Sequence, residues 1–196
     1  MFSTDLFSTV FLSDDFDDLR NSNLPILPII IDSYGGEIYS LLAMLDILAI
    51  TDRPVATIAL GKAMSCGSIL LACGTKGFRF IGPNSTMMIH DAATHSFGKI
   101  EELKSDVGET ERLNSKIFNI LDVRCEKKAG YFKKMLTQRK HTNWYLDAQE
   151  ALKHGLVDHI GTPVIDSMFH LDIIKDQIGA NKKPTRTTKT LRKKTF

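Results

Sequence analysis

The sequence predicts an α/β fold built on a largely parallel sheet, and three observations predict it. Two β-branched apolar runs, LPIIID (27–32) and VATIAL (55–60), have the length and composition of buried strands. Stretches with apolar residues at helical spacing separate the short strands. The alternation continues to about residue 160, the pattern of βαβ units rather than of hairpins.

The elements follow in order. STVFL (8–12) reads as a short strand, and SDDFDDLRNSN (13–23) as an acidic, turn-like stretch. LPIIID breaks at SYGG (33–36), where two glycines permit backbone angles closed to other residues. EIYSLLAMLDILAI (37–50) carries Ile38, Leu41, Leu42, Leu45 and Leu48 on a helical stripe, and TDRP stops it. After VATIAL, small residues cluster from Ser65 to Ser68, and an apolar run ends at Gly74. That pattern predicts a buried helix opening at or near Ser65. A short strand in FRF, a Gly-Pro-Asn turn and a strand TMMIH (86–90) come next. Residues 99–128 form one long amphipathic helix with the stripe Ile100, Leu103, Val107, Leu113, Ile117 and Leu121. GYFKKMLTQ (130–138) is a further helix. Asp147 and Glu150 form a capping-box start to another, which Gly155 ends, and LVDHIG is a final short strand.

Composition bounds the class. The 196 residues, 43% of them hydrophobic, suit one globular domain. No apolar run reaches the ~18 residues that span a bilayer. The N-terminus lacks the basic region of a secretory signal. Cys66, Cys73 and Cys125 suggest neither a disulfide framework nor a zinc site, so a reducing, cytoplasmic setting is expected. The net charge of +2 joins two unlike parts. Residues 181–196 hold seven basic residues and no acidic one, and residues 1–180 carry a net −5. The tail reads as a solvated, disordered appendage, and nucleic-acid binding is not expected from the body.

Two residues stand out chemically. Ser65 lies between an apolar strand and an apolar helix, beside free backbone N–H groups. It is either an N-cap or a nucleophile with its oxyanion donors to hand. The G-x-S-x-G elbow is absent, because Ala63 stands at its first glycine. His90 ends a strand, where open α/β sheets place functional groups. His95, His141, His154 and His159 lie in polar or terminal settings, and no histidine pair has metal-ligand spacing. Neither G-x-G-x-x-G nor a Walker A motif occurs, so no nucleotide, metal or other cofactor is expected.

Three segments carry a resemblance to the Clp protease proteolytic subunit family, ClpP. IDSYGGEIYSLLAMLDIL resembles the stretch around that family's S-P-G-G turn. GKAMSCGSILLACGTKGFRFIGPNSTMMIH resembles its nucleophile helix and histidine strand, and DAQEALKHGLVDHI its E-A-x-x-x-G-L-V-D segment. The resemblance implies the ClpP/crotonase-like fold of stacked βαβ units, with residues 99–128 as a handle helix. The peptidase domain would be 27–165, after a shortened N-terminal segment 1–26 and before a C-terminal extension 166–180 and the tail. It implies a serine peptidase acting on unfolded polypeptides inside a homo-oligomer of stacked heptameric rings. A Clp-type ATPase unfoldase, and a related ClpP subunit, are the implied partners.

By position, Ser65 matches the nucleophile, His90 the general base, and the N–H groups of Gly36 and Cys66 the oxyanion donors. Tyr34, Gly35 and Asp91 fall in segments that would pair with substrate. Asn143 stands where the family has the triad Asp, Thr142 where it often has Arg, and Tyr34 where the turn has Pro. Asn holds a histidine by hydrogen bond but adds no charge to stabilise imidazolium. Asp91 and Asp147 are alternative carboxylates, although Asp91 at the end of a strand should point away from His90. The readings left open are an active peptidase, a catalytically weak or silent ring subunit, and a crotonase-like acyl-thioester enzyme.

Overall fold

β1 (Leu27–Ser33) and β2 (Val55–Met64) are the two apolar runs, laid parallel. The computed structural model describes residues 24–165 and 171–173, so STVFL, the acidic stretch after it and the basic tail lie outside the described residues. The β1/β2 register runs from Leu27↔Val55 to Ile31↔Ala59, then shifts before Ser33↔Ala63. β2 is longer than the VATIAL run. It continues through Gly61 to Met64, which carries the chain straight to Ser65.

The length of β2 decides the topology. Its first half pairs with β3 (Arg79–Ile81) and its last residues with β4 (Thr86–Ile89), both parallel. β6 (His159–Ile160) joins β3 in parallel, and β5 (Trp144–Leu146) joins β4 antiparallel. The order is β5-β4-β2-β3-β6 with β1 on β2, so the sheet is largely parallel as the alternation predicted. β5 was not foreseen, since three residues are too few to display a period of two. Nor is LVDHIG the final strand. β7 (Pro163–Ile165) and β8 (Leu171–Ile173) follow as a small antiparallel pair.

The helices are α1 (Ile38–Ile50), α2 (Cys66–Ala72), α3 (Ile100–Arg124), α4 (Tyr131–Gln138) and α5 (Ala148–His154). Every residue of α2 is buried, which its lack of any polar face requires. α3 divides its stripe. Leu113, Ile117 and Leu121 enter the core, while Ile100 and Val107 stay exposed. It ends at Arg124, four residues early, where buried Asp122 accepts the N–H groups of Gly130 at 2.6 Å and Phe132 at 3.1 Å and so starts α4. Asp147 accepts the Glu150 N–H at 2.8 Å, and Gly155 at φ 77° closes α5.

One buried ion pair ties the sheet together. The Arg79 guanidinium on β3 meets the Asp158 carboxylate through two contacts of 2.6 and 2.8 Å. The same carboxylate accepts the N–H groups of Gly77 and Arg79. His154 is a correction to the sequence expectation: it is buried and takes the Tyr131 hydroxyl on Nδ1 at 2.7 Å. Among the described residues no helix is long and apolar enough to cross a membrane.

Candidate active site

The C-terminal ends of β1, β2 and β4 converge, and each delivers one part of the site. β2 runs into Ser65, whose backbone has φ 53° and ψ −123°. An L-residue holds that conformation at a cost on the order of 1–3 kcal/mol, so the surroundings must impose it. They do so through the backbone: the Ser65 N–H donates to Met88 O at 2.8 Å, and Ser65 O accepts the Ser68 hydroxyl at 2.7 Å. The Ser65 side chain makes no helix cap, which sets aside the N-cap explanation of this serine. Its hydroxyl faces His90 instead.

β4 ends at Ile89 and places His90 there. Ser65 Oγ and His90 Nε2 lie 2.8 Å apart. With Nε2 as acceptor, the serine hydroxyl donates along that line. Burial pushes the His90 imidazole below its usual range, and the Asp91 carboxylate pulls partly against this. The neutral ring is therefore the ready form at neutral pH, as a proton acceptor must be.

The turn after β1 supplies the backbone. Gly35 has φ +104°, and a Cβ on it would lie 2.6 Å from Ser65 Cβ and 3.2 Å from Cys66 N. Only glycine allows this approach, which seats the turn against the start of α2. The N–H groups of Gly36 and Cys66 have no acceptor among the described residues. Cys66 donates its thiol to Gly36 O at 3.1 Å, and burial raises its pKa, so it stays a neutral thiol. The site opens into a cleft of about 530 Å³, with Ile69, Leu113 and Ile117 on its apolar wall.

The remaining candidates sit further out. Tyr34 is exposed, with Lys62 Nζ 4.3 Å above its ring and Asp32 paired to that Lys at 2.7 Å. Asn143 is exposed. The β4/β5 register, Met88↔Tyr145 and Ile89↔Trp144, brings it across from His90 when continued by one step. No hydrogen bond joins the Asn143 and His90 side chains, and His90 Nδ1 has no partner among the described residues. No hydrogen bond joins the Asp91 carboxylate to His90. Its carboxylate accepts from Asn114 and His141. Asp147 is occupied as the α5 cap. Sequence reasoning missed Asn114 and His141. They lie 23 and 50 residues from Asp91, and no local spacing marks either.

A proton acceptor 2.8 Å from a strained serine, beside two free N–H groups, is equipped for acyl transfer through a covalent serine intermediate. The chain is also similar to known proteins. A family model described as Clp protease matches residues 18–164. The ATP-dependent Clp protease proteolytic subunit of Deinococcus radiodurans is 34% identical over 126 residues, which cover 64% of this chain and 60% of that one. The ATP-dependent Clp protease proteolytic subunit 1 of Rhodopirellula baltica is 33% identical over 135 residues, 68% of this chain and 58% of that one. The chain spans about 60% of the length of these curated relatives. With a family model matching residues 18–164 and relatives 33–34% identical over about two thirds of it, the chain belongs to the Clp protease family.

Proposed function

We propose that this chain is a ClpP-like serine endopeptidase that hydrolyses unfolded polypeptides inside an oligomeric ring. The observation that supports it most is the 2.8 Å approach of Ser65 Oγ to His90 Nε2. An extended substrate pairs by its backbone with the segments at 34–37 and 91–96, which brings a carbonyl over Ser65. His90 Nε2 takes the hydroxyl proton as Oγ attacks, and the N–H groups of Gly36 and Cys66 hold the oxyanion. Collapse expels the amine, protonated by His90, and water then releases the acyl group by the same route.

Exposed Ile100 and Val107, on the outer half of the α3 stripe, support a ring-to-ring contact through α3, with heptameric rings stacked in pairs. A Clp-type ATPase unfoldase is the proposed docking partner, by kinship with relatives named as ATP-dependent subunits. Three free, buried cysteines suit a reducing cytoplasm. Labelling by a fluorophosphonate probe tests the reading. Ser65 should be modified in the folded, assembled protein, and an unlabelled serine would refute it.

A second reading, a catalytically weak or silent ring subunit, is favoured by one observation: His90 Nδ1 lacks a partner and the residue opposite is Asn143. Asn143→Asp separates the two. A carboxylate there should raise kcat by at least about tenfold, since loss of the triad carboxylate in a serine protease costs up to ~10⁴. Peptide turnover by the two proteins measures it, and equal rates would show that Asn143 does not limit the reaction. The pH profile of kcat/KM checks His90 independently. With its pKa lowered, the acid limb should fall below the ordinary imidazole value of about 6.5. A limb above pH 7 would rule out a buried, neutral base.

A further inference from the structure

A second hydrogen-bonded cluster adjoins the Ser65–His90 pair, and the reaction above does not use it. Asp91 Oδ1 accepts from Asn114 Nδ2 at 2.8 Å, and Asp91 Oδ2 accepts from His141 Nδ1 at 2.7 Å. Asn114 uses its other end as well, accepting the Ala92 N–H on Oδ1 at 2.9 Å. The segment just after His90 is thereby stapled to the middle of α3.

His141 lies in the turn between α4 and β5, two residues before Asn143. Lys140 and His141 have φ of 54° and 59°, a left-handed conformation uncommon for either residue type. The His141 N–H donates to Leu136 O at 3.0 Å, which holds this turn against the end of α4. A carboxylate only accepts, so both bonds to Asp91 run inward from its partners. One carboxylate thus joins the exit of β4, the long helix and the turn that carries Asn143.

We propose that Asp91 is a positioning residue for His90: clamped by Asn114 and His141, it fixes the backbone that aims the imidazole at Ser65 and sets beside it the negative charge that Asn143 lacks. The inference rests on the peptidase reading for its effect on rate, but the clamp itself does not. Asp91 is not the group on His90 Nδ1: its oxygens accept from Asn114 and His141, and no hydrogen bond joins them to the imidazole. It acts through the chain and through space. The groups that face it are His90 on its own segment, His141 from the turn and neutral Asn114 from α3.

The test uses the full-length assembled protein, with Asp91→Ala, His141→Ala, their double variant, Asp91→Asn and His141→Gln. Three quantities are read: the rate of fluorophosphonate labelling at Ser65, KM for a peptide, and the NMR signals of the His90 ring. Each alanine variant should slow labelling roughly 10- to 100-fold, the size expected for a misaimed catalytic group, with a smaller change in KM. The double variant should be no slower than the slower single, because the two residues share one contact. His141→Gln, which keeps an N–H donor, should recover most of the rate. Asp91→Asn keeps the shape and loses the charge, and reports on the same question if the alanine variants do not fold. The His90 signals should move in Asp91→Ala and His141→Ala. Wild-type labelling rates in Asp91→Ala, multiplicative losses in the double variant or unmoved His90 signals would overturn the proposal. If the wild type itself is not labelled, the peptidase reading fails, and the His90 signals still decide for or against the clamp.

Discussion

Ser65→Ala is expected to lower peptide hydrolysis by about 10⁴-fold or more and to abolish fluorophosphonate labelling, while the fold and assembly state persist. The loss is large because, among the described residues, His90 Nε2 has Ser65 Oγ as its hydrogen-bond partner and no other nucleophile. Cys66 follows Ser65 directly, but burial raises its pKa and its thiol donates to Gly36 O. Any residual rate over water would come from the Gly36 and Cys66 N–H groups. The fold should tolerate the change. Ser65 is held by backbone bonds to Met88 and Ser68, and its side chain caps nothing. Alanine at φ 53° is strained about as serine is. Circular dichroism and light scattering check the fold, and peptide cleavage checks the chemistry. Retained cleavage would place the nucleophile elsewhere. Retained thioester turnover without cleavage would favour an acyl-thioester enzyme.

The second large effect is on stability. Asp158→Ala should destabilise the chain by about 3–5 kcal/mol, because it leaves the Arg79 guanidinium buried without its counter-charge. Arg79 is 1% exposed, and its other hydrogen bonds, to Ala72 O and Arg124 O at 3.2 Å, are long. Replacing both residues with apolar ones of similar volume should cost much less than Asp158→Ala alone. Urea titrations of the two variants measure the difference, and equal losses would show that the unpaired Arg79 charge is not what destabilises Asp158→Ala. The pH dependence follows in sign. Burial raises the Asp158 pKa, but the Arg79 guanidinium and the N–H groups of Gly77 and Arg79 more than offset it, so the net shift is downward. The stabilisation is therefore full above the ordinary aspartate value of about 4 and is lost as pH falls through the lowered folded value.

Much of this was legible in the sequence, and the reasons differ by residue. β1, β2, α1 and α3 were readable because apolar runs and stripes repeat at a fixed period over many residues. Gly35 was readable as a turn position whose backbone angles other residues avoid, and its φ is +104°; that the turn packs on Ser65 was not readable. Ser65 and His90 were each open to a bland explanation, and only their approach across 25 positions distinguishes them. β5 was hidden by its length. Its pairing with β4 is what brings Asn143 opposite His90. The Asp91 cluster was hidden more deeply. Its three side chains come from a strand end, a helix middle and a left-handed turn, and local pattern carries no information about such a meeting.

The strained conformation of Ser65 has a consequence for how the chain matures. The conformation depends on Met88 from β4 and on Gly35 from the β1 exit, and β1, β2 and β4 meet only through parallel pairings. Such pairings close long loops, so they form late and together rather than one hairpin at a time. The contacts that impose this conformation on Ser65 are therefore all long-range, and none is available from the local sequence. On the peptidase reading proposed above, the serine gains its strained geometry only with the pairings that also assemble the core.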